Sequence, residues 1–310
     1  MAISSTYYLN GPSLSSSTSI FSDAALTTIA PDGFYSDGVI SREQVSGILL
    51  PAVACGTCAT PCGGTINGSG NQGIYLLNLD AGSTVSDVGA VVVRFNPQAV
   101  PDGIRAVYNG NTYNKLSSPV DGLHQSTDPN GFTVIGNLGS DCGLTGSTTN
   151  FPAITEYLYV GSSFVATGNT QNITISPGDV SLGSTPGVCV MVIPKVNASP
   201  SLFNFEIIGP CGGTAWNIAI DCPVLLPSFQ SSTVQPTSSV GCSEPLTETY
   251  YFAKVHTAVD TFVGLYDYVF VDEYGATPLA NGFYLISNVA APNKVIEVVN
   301  GIVIAITNCV

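Results

Sequence analysis

IYLLNL at 74–79, AVVVRF at 90–95, IRAVY at 104–108, YLYV at 157–160, NITIS at 172–176, VCVMVI at 188–193, FNFEII at 203–208 and WNIAI at 216–220 decide the fold class. Each is a short run rich in Val, Ile, Tyr and Thr that alternates or stays apolar for a strand's length. Helical periodicity is almost absent. Between the runs stand PDG, DPNG, SPGD and GPCGG, which supply the residues that tight turns require. The pattern predicts an all-β chain with a jelly-roll-like antiparallel β-sandwich over 63–223.

Outside the sandwich the informative feature is an internal repeat. FSDAALTTIAPDGFY at 21–35 lies on FVDEYGATPLANGFY at 270–284 without a gap, so that Asp23, Gly33 and Tyr35 fall on Asp272, Gly282 and Tyr284. The flanks agree as well. Thr6, Tyr7 and Tyr8 answer Thr249, Tyr250 and Tyr251, and Gly47 precedes Cys55 by the same interval as Gly301 precedes Cys309. A duplicated small β-module is expected, over 1–62 and again over 244–310. Residues 224–243 lose the strand periodicity and gain Pro, Ser and Thr, the composition of a linker.

Composition narrows the function. Of the 310 residues only 9% are charged against 45% hydrophobic, and mean hydropathy is +0.34. A surface with so little charge favours a permanent assembly, so the chain is expected to contact copies of itself. With 7 Lys and Arg against 21 Asp and Glu the formal charge is −14, a field that repels phosphate backbones. Nucleic acid is therefore excluded as the main partner. The start MAISSTYYLN has no basic n-region or apolar core of a secretory signal, and no apolar run is long enough to span a bilayer as a helix; cytoplasmic synthesis without membrane insertion is expected.

Several motifs invite chemistry. Cys55, Cys58 and Cys62 in CGTCATPC are close enough for three thiolates to hold zinc with a fourth ligand from elsewhere, or to form disulfides, or to stay buried as thiols. Cys211 and Cys222 bracket GGTAWNIAID; a disulfide closing that loop contributes roughly 3 kcal/mol, unless an extended strand holds the two about 33 Å apart. Asp102, Asp121 and Asp128 lie in turn-like DG and DPNG contexts, where a single calcium in a sandwich loop competes with plain turn chemistry. Gly68, Gly70 and Gly73 match G-x-G-x-x-G, but a strand follows, so the helix N-terminus that holds a pyrophosphate is missing. His124 and His256 have no recognisable nucleophile and acid partner, and Trp216 alternates with Ile218 and Ile220 as a core residue. No cofactor and no catalytic residue is expected.

APDGFYSDGVISREQVSGILLP at 30–51 resembles a short module of virion structural and fibre-type proteins of tailed phages. The segments AVVVRFNPQAVPDGIRAVYNG at 90–110, KLSSPVDGLHQ at 115–125 and GPCGGTAWNIAIDCP at 209–223 resemble a β-sandwich domain that accompanies it. The resemblance implies a non-enzymatic structural protein of the virion, in a fibre, spike, tail appendage or capsid-surface decoration, with other virion proteins as partners. The competing class is a carbohydrate-binding adhesin whose sandwich loops recognise a host-surface glycan; a glycosidase is the weakest reading.

Overall fold

A computed structural model describes residues 6–14, 16–36, 40–51, 53–54, 59–98, 100–118, 122–125, 131–137, 143–144, 147–183, 189–255, 262–287 and 293–309. The alternating runs become the two sheets of an all-β sandwich. One sheet has six strands in the order Gly122–Gln125, Lys115–Ser118, Cys189–Lys195, Gly89–Asn96, Thr214–Ile220 and Gly64–Gly70. The other runs Ser163–Ile175, Thr149–Val160, Gly73–Asp80, Leu202–Gly209, Asp102–Tyr108, Thr133–Asn137 and Val180–Gly183, with two short strands added at its sides. Most pairs are antiparallel, and period two places Tyr75, Leu77, Phe95, Phe203, Phe205 and Trp216 in the core between the sheets. Trp216 is fully buried as expected. It also explains Gly68, where a Cβ would stand 2.2 Å from the indole ring.

The C-terminal unit is a closed six-stranded barrel: Ser228–Ser231, Glu248–Ala253, Tyr268–Phe270, Ile302–Asn308, Lys294–Val299 and Gly282–Ile286. Its first strand corrects the linker expected at 224–243, which also carries the helix Ser238–Gly241 capped by Thr237. The polar composition of this stretch misleads because Ser231 and Ser232 are buried. Their hydroxyls serve the backbone of Leu285: Ser231 Oγ donates to its carbonyl at 2.9 Å and Ser232 Oγ accepts from its N–H at 3.0 Å. At the other boundary, Thr60–Pro61 pairs with Gly73–Asp80, so the end of the 1–62 segment belongs to the sandwich.

The barrel is docked on its own sandwich. Ala90, Val92 and Val190 pack against Leu226, Ala253, Val255 and Phe270. Arg94 fastens the contact, donating to Asp221 at 2.7 Å and to the carbonyls of Lys254 and Val255 at 3.1 and 3.3 Å.

The N-terminal unit has the barrel's local features in an open arrangement. The pairs Tyr8 with Phe21 and Leu9 with Ile20 correspond to Tyr251 with Phe270 and Phe252 with Val269. Asp23 accepts from the N–H groups of Thr27 and Thr28 at 3.1 and 2.5 Å, as Asp272 does from Ala276 and Thr277 at 3.0 and 2.7 Å. Those bonds, the Thr27 N–H foremost, hold the Asp23 carboxyl at about 2. The Tyr35 hydroxyl donates to Pro31 O, and the Tyr284 hydroxyl donates to Ala280 O at 2.9 Å. Both closing hairpins turn on two left-handed residues, Ser46 and Gly47 (φ 52° and 77°) and Asn300 and Gly301 (φ 51° and 75°).

The interiors differ. Opposite Tyr284 and Gly282 the barrel places Ile296 and Val298, both fully buried; opposite Tyr35 and Gly33 the N-terminal unit places Arg42 and Gln44. Arg42 donates to four carbonyls, those of Leu14, Ser17, Leu49 and Leu50, at 2.6–3.0 Å. Gln44 accepts from Ile20 N–H at 2.7 Å and donates to Ala30 O at 2.8 Å. A bonded polar lattice thus replaces the barrel's apolar filling. Arg42→Leu should lower the stability of this unit by about 3 kcal/mol, because four inward carbonyls lose a charged donor. Protease cleavage within residues 6–54 at lower urea than in the wild type is the expected readout, and unchanged cleavage contradicts the polar lattice.

Candidate functional site

Chemistry-bearing side chains converge at three places: between the sheets of the sandwich, in the cleft beside the barrel, and on the surface of the N-terminal unit. Between the sheets, Asp102 is fully buried at the start of Asp102–Tyr108. Its Oδ1 accepts from the hydroxyl of Thr214 on the facing sheet, and its Oδ2 has no hydrogen-bond partner. Burial pushes this carboxyl well above the ordinary range, against the opposing effect of the Thr214 bond. The buried carboxyl, biased toward its protonated form, ties the two sheets together through Thr214, and among the described residues the indole Nε1 of Trp216 in the same core is also unpartnered.

This placement corrects the calcium expectation at Asp102. The residue lies inside a strand pairing, opposite Ile135, and not in a loop open to a hydrated cation. Asp121 and Asp128 lie outside the described residues. Among the described residues no group of three or more His, Cys, Asp or Glu is arranged to hold a metal ion.

The cysteines are likewise reassigned. Cys62 is joined to Cys222, and Cys242 to Cys309. Cys62 is therefore not a thiolate available to zinc, and Cys55 and Cys58 lie outside the described residues. Of the two readings of Cys211 and Cys222, the separated one holds: Cys222 is bonded to Cys62, and Cys211 is disulfide-bonded elsewhere. The strand Thr214–Ile220 stands between the two and keeps their sulfurs apart. Cys222 instead reaches Cys62, because residues 63 and 64 run antiparallel beside the end of that strand. The Cys62–Cys222 link spans 160 residues and ties the entrance of the sandwich to its exit. Cys189 is a buried thiol of the core. The histidine side chains are outside the described residues, although Gly122–Gln125, which contains His124, forms an edge strand.

The cleft has a volume of about 700 Å³ and separates the Asn111–Tyr113 strand of the sandwich from the barrel. Tyr113, Asn114, Lys115, Tyr268 and Asn300 contribute to its wall. The Tyr268 hydroxyl donates to Val190 O at 3.0 Å, so its ring is held at the rim. Sequence reasoning missed this site, since its walls come from segments more than 150 residues apart.

On the N-terminal unit, large apolar side chains face solvent: Phe34 at 74% exposure, Ile48 at 62% and Ile29 at 52%, with Tyr7, Val45 and Leu50 beside them in sequence or structure. Among the described residues the larger sandwich leaves fewer such side chains uncovered. Asp23, Gly33 and Tyr35 lie in this unit, and Asp272, Gly282 and Tyr284 take the corresponding places in the barrel.

No family model matches the chain, and no curated protein matches it. A solved structure, that of CorA, a surface-associated copper-binding protein of Methylomicrobium album BG8, is similar over 53% of this chain and 98% of its own, with 9% identity and a TM-score of 0.22. That similarity is too low to carry over a fold or a copper site. No helix among the described residues is long and apolar enough to cross a membrane.

The buried Asp102 has a definite pH signature. In the unfolded chain the carboxyl ionises near 4, whereas in the fold it stays protonated to higher pH, so its contribution to stability is present below about 4 and is lost as pH rises toward the folded value. Asp102→Asn removes that loss. The variant's urea midpoint should gain on the wild type from pH 4 to pH 7; parallel curves would show that the carboxyl is charged in the fold.

Proposed function

We propose that this chain is a non-enzymatic structural component of a tailed-phage particle, placed in a fibre, spike, tail appendage or capsid-surface decoration. The observation that carries the reading is the exposed apolar surface of the N-terminal unit, with Phe34 at 74% exposure. A small unit with few charges and such a surface is suited to burial by neighbours, while the sandwich and barrel cover each other through Val92, Val190, Leu226 and Phe270. The low charge of the whole chain suits close packing among identical or different subunits. The barrel, being docked on the sandwich, is the presented part, and the N-terminal unit is the attachment.

A second reading, binding of a host-surface glycan, is favoured by the cleft, whose lining includes Tyr113, Tyr268, Asn114 and Asn300. Aromatic faces beside amide groups are the chemistry that sugars select. The two readings are compatible in one attachment protein.

Mass spectrometry of particles purified from a lysate should find the chain in fixed stoichiometry with the shell and tail proteins. Recovery only in the particle-free fraction contradicts the structural assignment. On a glycan array, binding that disappears in Tyr113→Ala supports the second reading, and an array without signal removes it.

A further inference from the structure

The N-terminal unit and the barrel differ at one seam. In the barrel, Ser228–Ser231 and the residues that follow it lie between Glu248–Ala253 and Gly282–Ile286. Gln235 and Phe283 exchange both backbone hydrogen bonds, at 2.8 and 2.9 Å. Val234 covers Gly282 so closely that a Cβ built there would stand 2.4 Å from Val234 Cγ2 and 3.1 Å from Gln235 O. Phe229 packs at 6.1 Å from the ring of Tyr250, which in turn meets Tyr284 edge-on at 5.8 Å. Gly282 is thus a seat that admits the closing strand because it has no side chain.

Each part of that seat has a counterpart in the N-terminal unit. Gly33 has φ 154° against 151° at Gly282, yet no described residue lies within 4 Å of the place its Cβ would take. Tyr7 meets Tyr35 edge-on at 5.0 Å, and among the described residues no further ring packs on Tyr7. Phe34 stands opposite Glu43 as Phe283 stands opposite Glu297, so alternation turns its N–H and C=O to the outer edge. Among the described residues no strand pairs with Gly33 and Phe34 on that edge, and Tyr8–Leu9 pairs on one side only.

We infer that the N-terminal unit is a barrel closed in trans, its seam taking one extended strand of another polypeptide. The closed barrel gives the pattern of the guest. A β-branched side chain, like Val234, sits over Gly33; the next residue, like Gln235, pairs with the backbone of Phe34; an aromatic residue five positions before the β-branched one, like Phe229, covers Tyr7. The guest is uncharged at these positions, as 228–235 is, since Tyr7, Tyr8, Gly33, Phe34 and Tyr35 offer no opposite charge to a buried one. The donor is a different chain and not a second copy of this one: a copy that lent its own 228–235 would open its own barrel, exchanging one seam for another with no gain. Strand addition of this kind satisfies two edges at once through main-chain hydrogen bonds. The inference stands on the two units alone and does not depend on which particle holds the chain.

The test is titration of the full chain with a fluorescently labelled synthetic peptide of residues 226–237, a stand-in for the guest. Saturable binding at one peptide per chain is expected, weakened about tenfold or more by Gln235→Pro or Val234→Asp within the peptide, since each removes a backbone donor or the filling of the glycine seat. A benzophenone in place of Phe229 in the peptide should crosslink to the segment containing Tyr7 and Tyr8. Absence of binding, equal binding of all three peptides, or crosslinking only to residues 248–253 overturns the inference. So does a stable dimer that excludes the peptide, because a second copy then fills the seam.

Discussion

A β-strand leaves its outer N–H and C=O groups to be paired by something, and the whole chain can be read as a set of answers to that demand. The barrel answers it within itself: the exchange between Gln235 and Phe283, with the hydroxyls of Ser231 and Ser232 on Leu285, joins the last edge to the first. The sandwich stacks two sheets and leaves edges at Gly64–Gly70 and at the long hairpin of Thr149–Val160 and Ser163–Ile175. The N-terminal unit keeps the same edge geometry, and at Gly33 and Phe34 no described residue closes it.

Core chemistry follows from edge closure. A closed barrel excludes water, so Ile296 and Val298 fill it and the Tyr284 hydroxyl, whose ring is buried, is pushed up to about 12 mainly by desolvation. The N-terminal unit has only a small apolar cluster, Leu14, Ile20, Ala30 and Leu49. There Arg42 and Gln44 occupy the equivalent positions and are stabilised by loop carbonyls and one N–H. The sandwich shows the intermediate case, a dry core that nevertheless carries one buried acid, Asp102, bonded across to Thr214. Function enters through the same constraint, because the surface that an open edge exposes is the surface a partner covers.

Alternation made the sandwich legible: every run quoted from 74–79 to 216–220 overlaps a strand, because one face of each is buried and period two is enforced. The stretch 224–243 was not legible, since the inward positions Ser231 and Ser232 are hydroxyl-bearing and their role is to bond Leu285, a partner more than fifty residues away. Asp102 read as a turn acid because DG usually marks a turn; only the facing sheet, which brings Thr214 to it, reveals a buried carboxyl. The cysteine spacing suggested Cys211 with Cys222, whereas strand order decides pairing and brings Cys62 to Cys222. Lining up Gly33 with Gly282 needs only the sequence. That Val234 sits over one and nothing over the other needs coordinates, since an alignment displays what two segments share and not the neighbour that one of them lacks.

The central claim is that two units of like geometry differ in one closed and one open seam, and amide hydrogen exchange in the free full-length chain addresses it residue by residue. The N–H of Phe283 is bonded to Gln235 and should exchange slowly, while that of Phe34, at the same position of the open unit, should exchange faster by about a hundredfold or more. Comparable protection at Phe34 in the free chain would mean that its edge is already paired and would contradict the account.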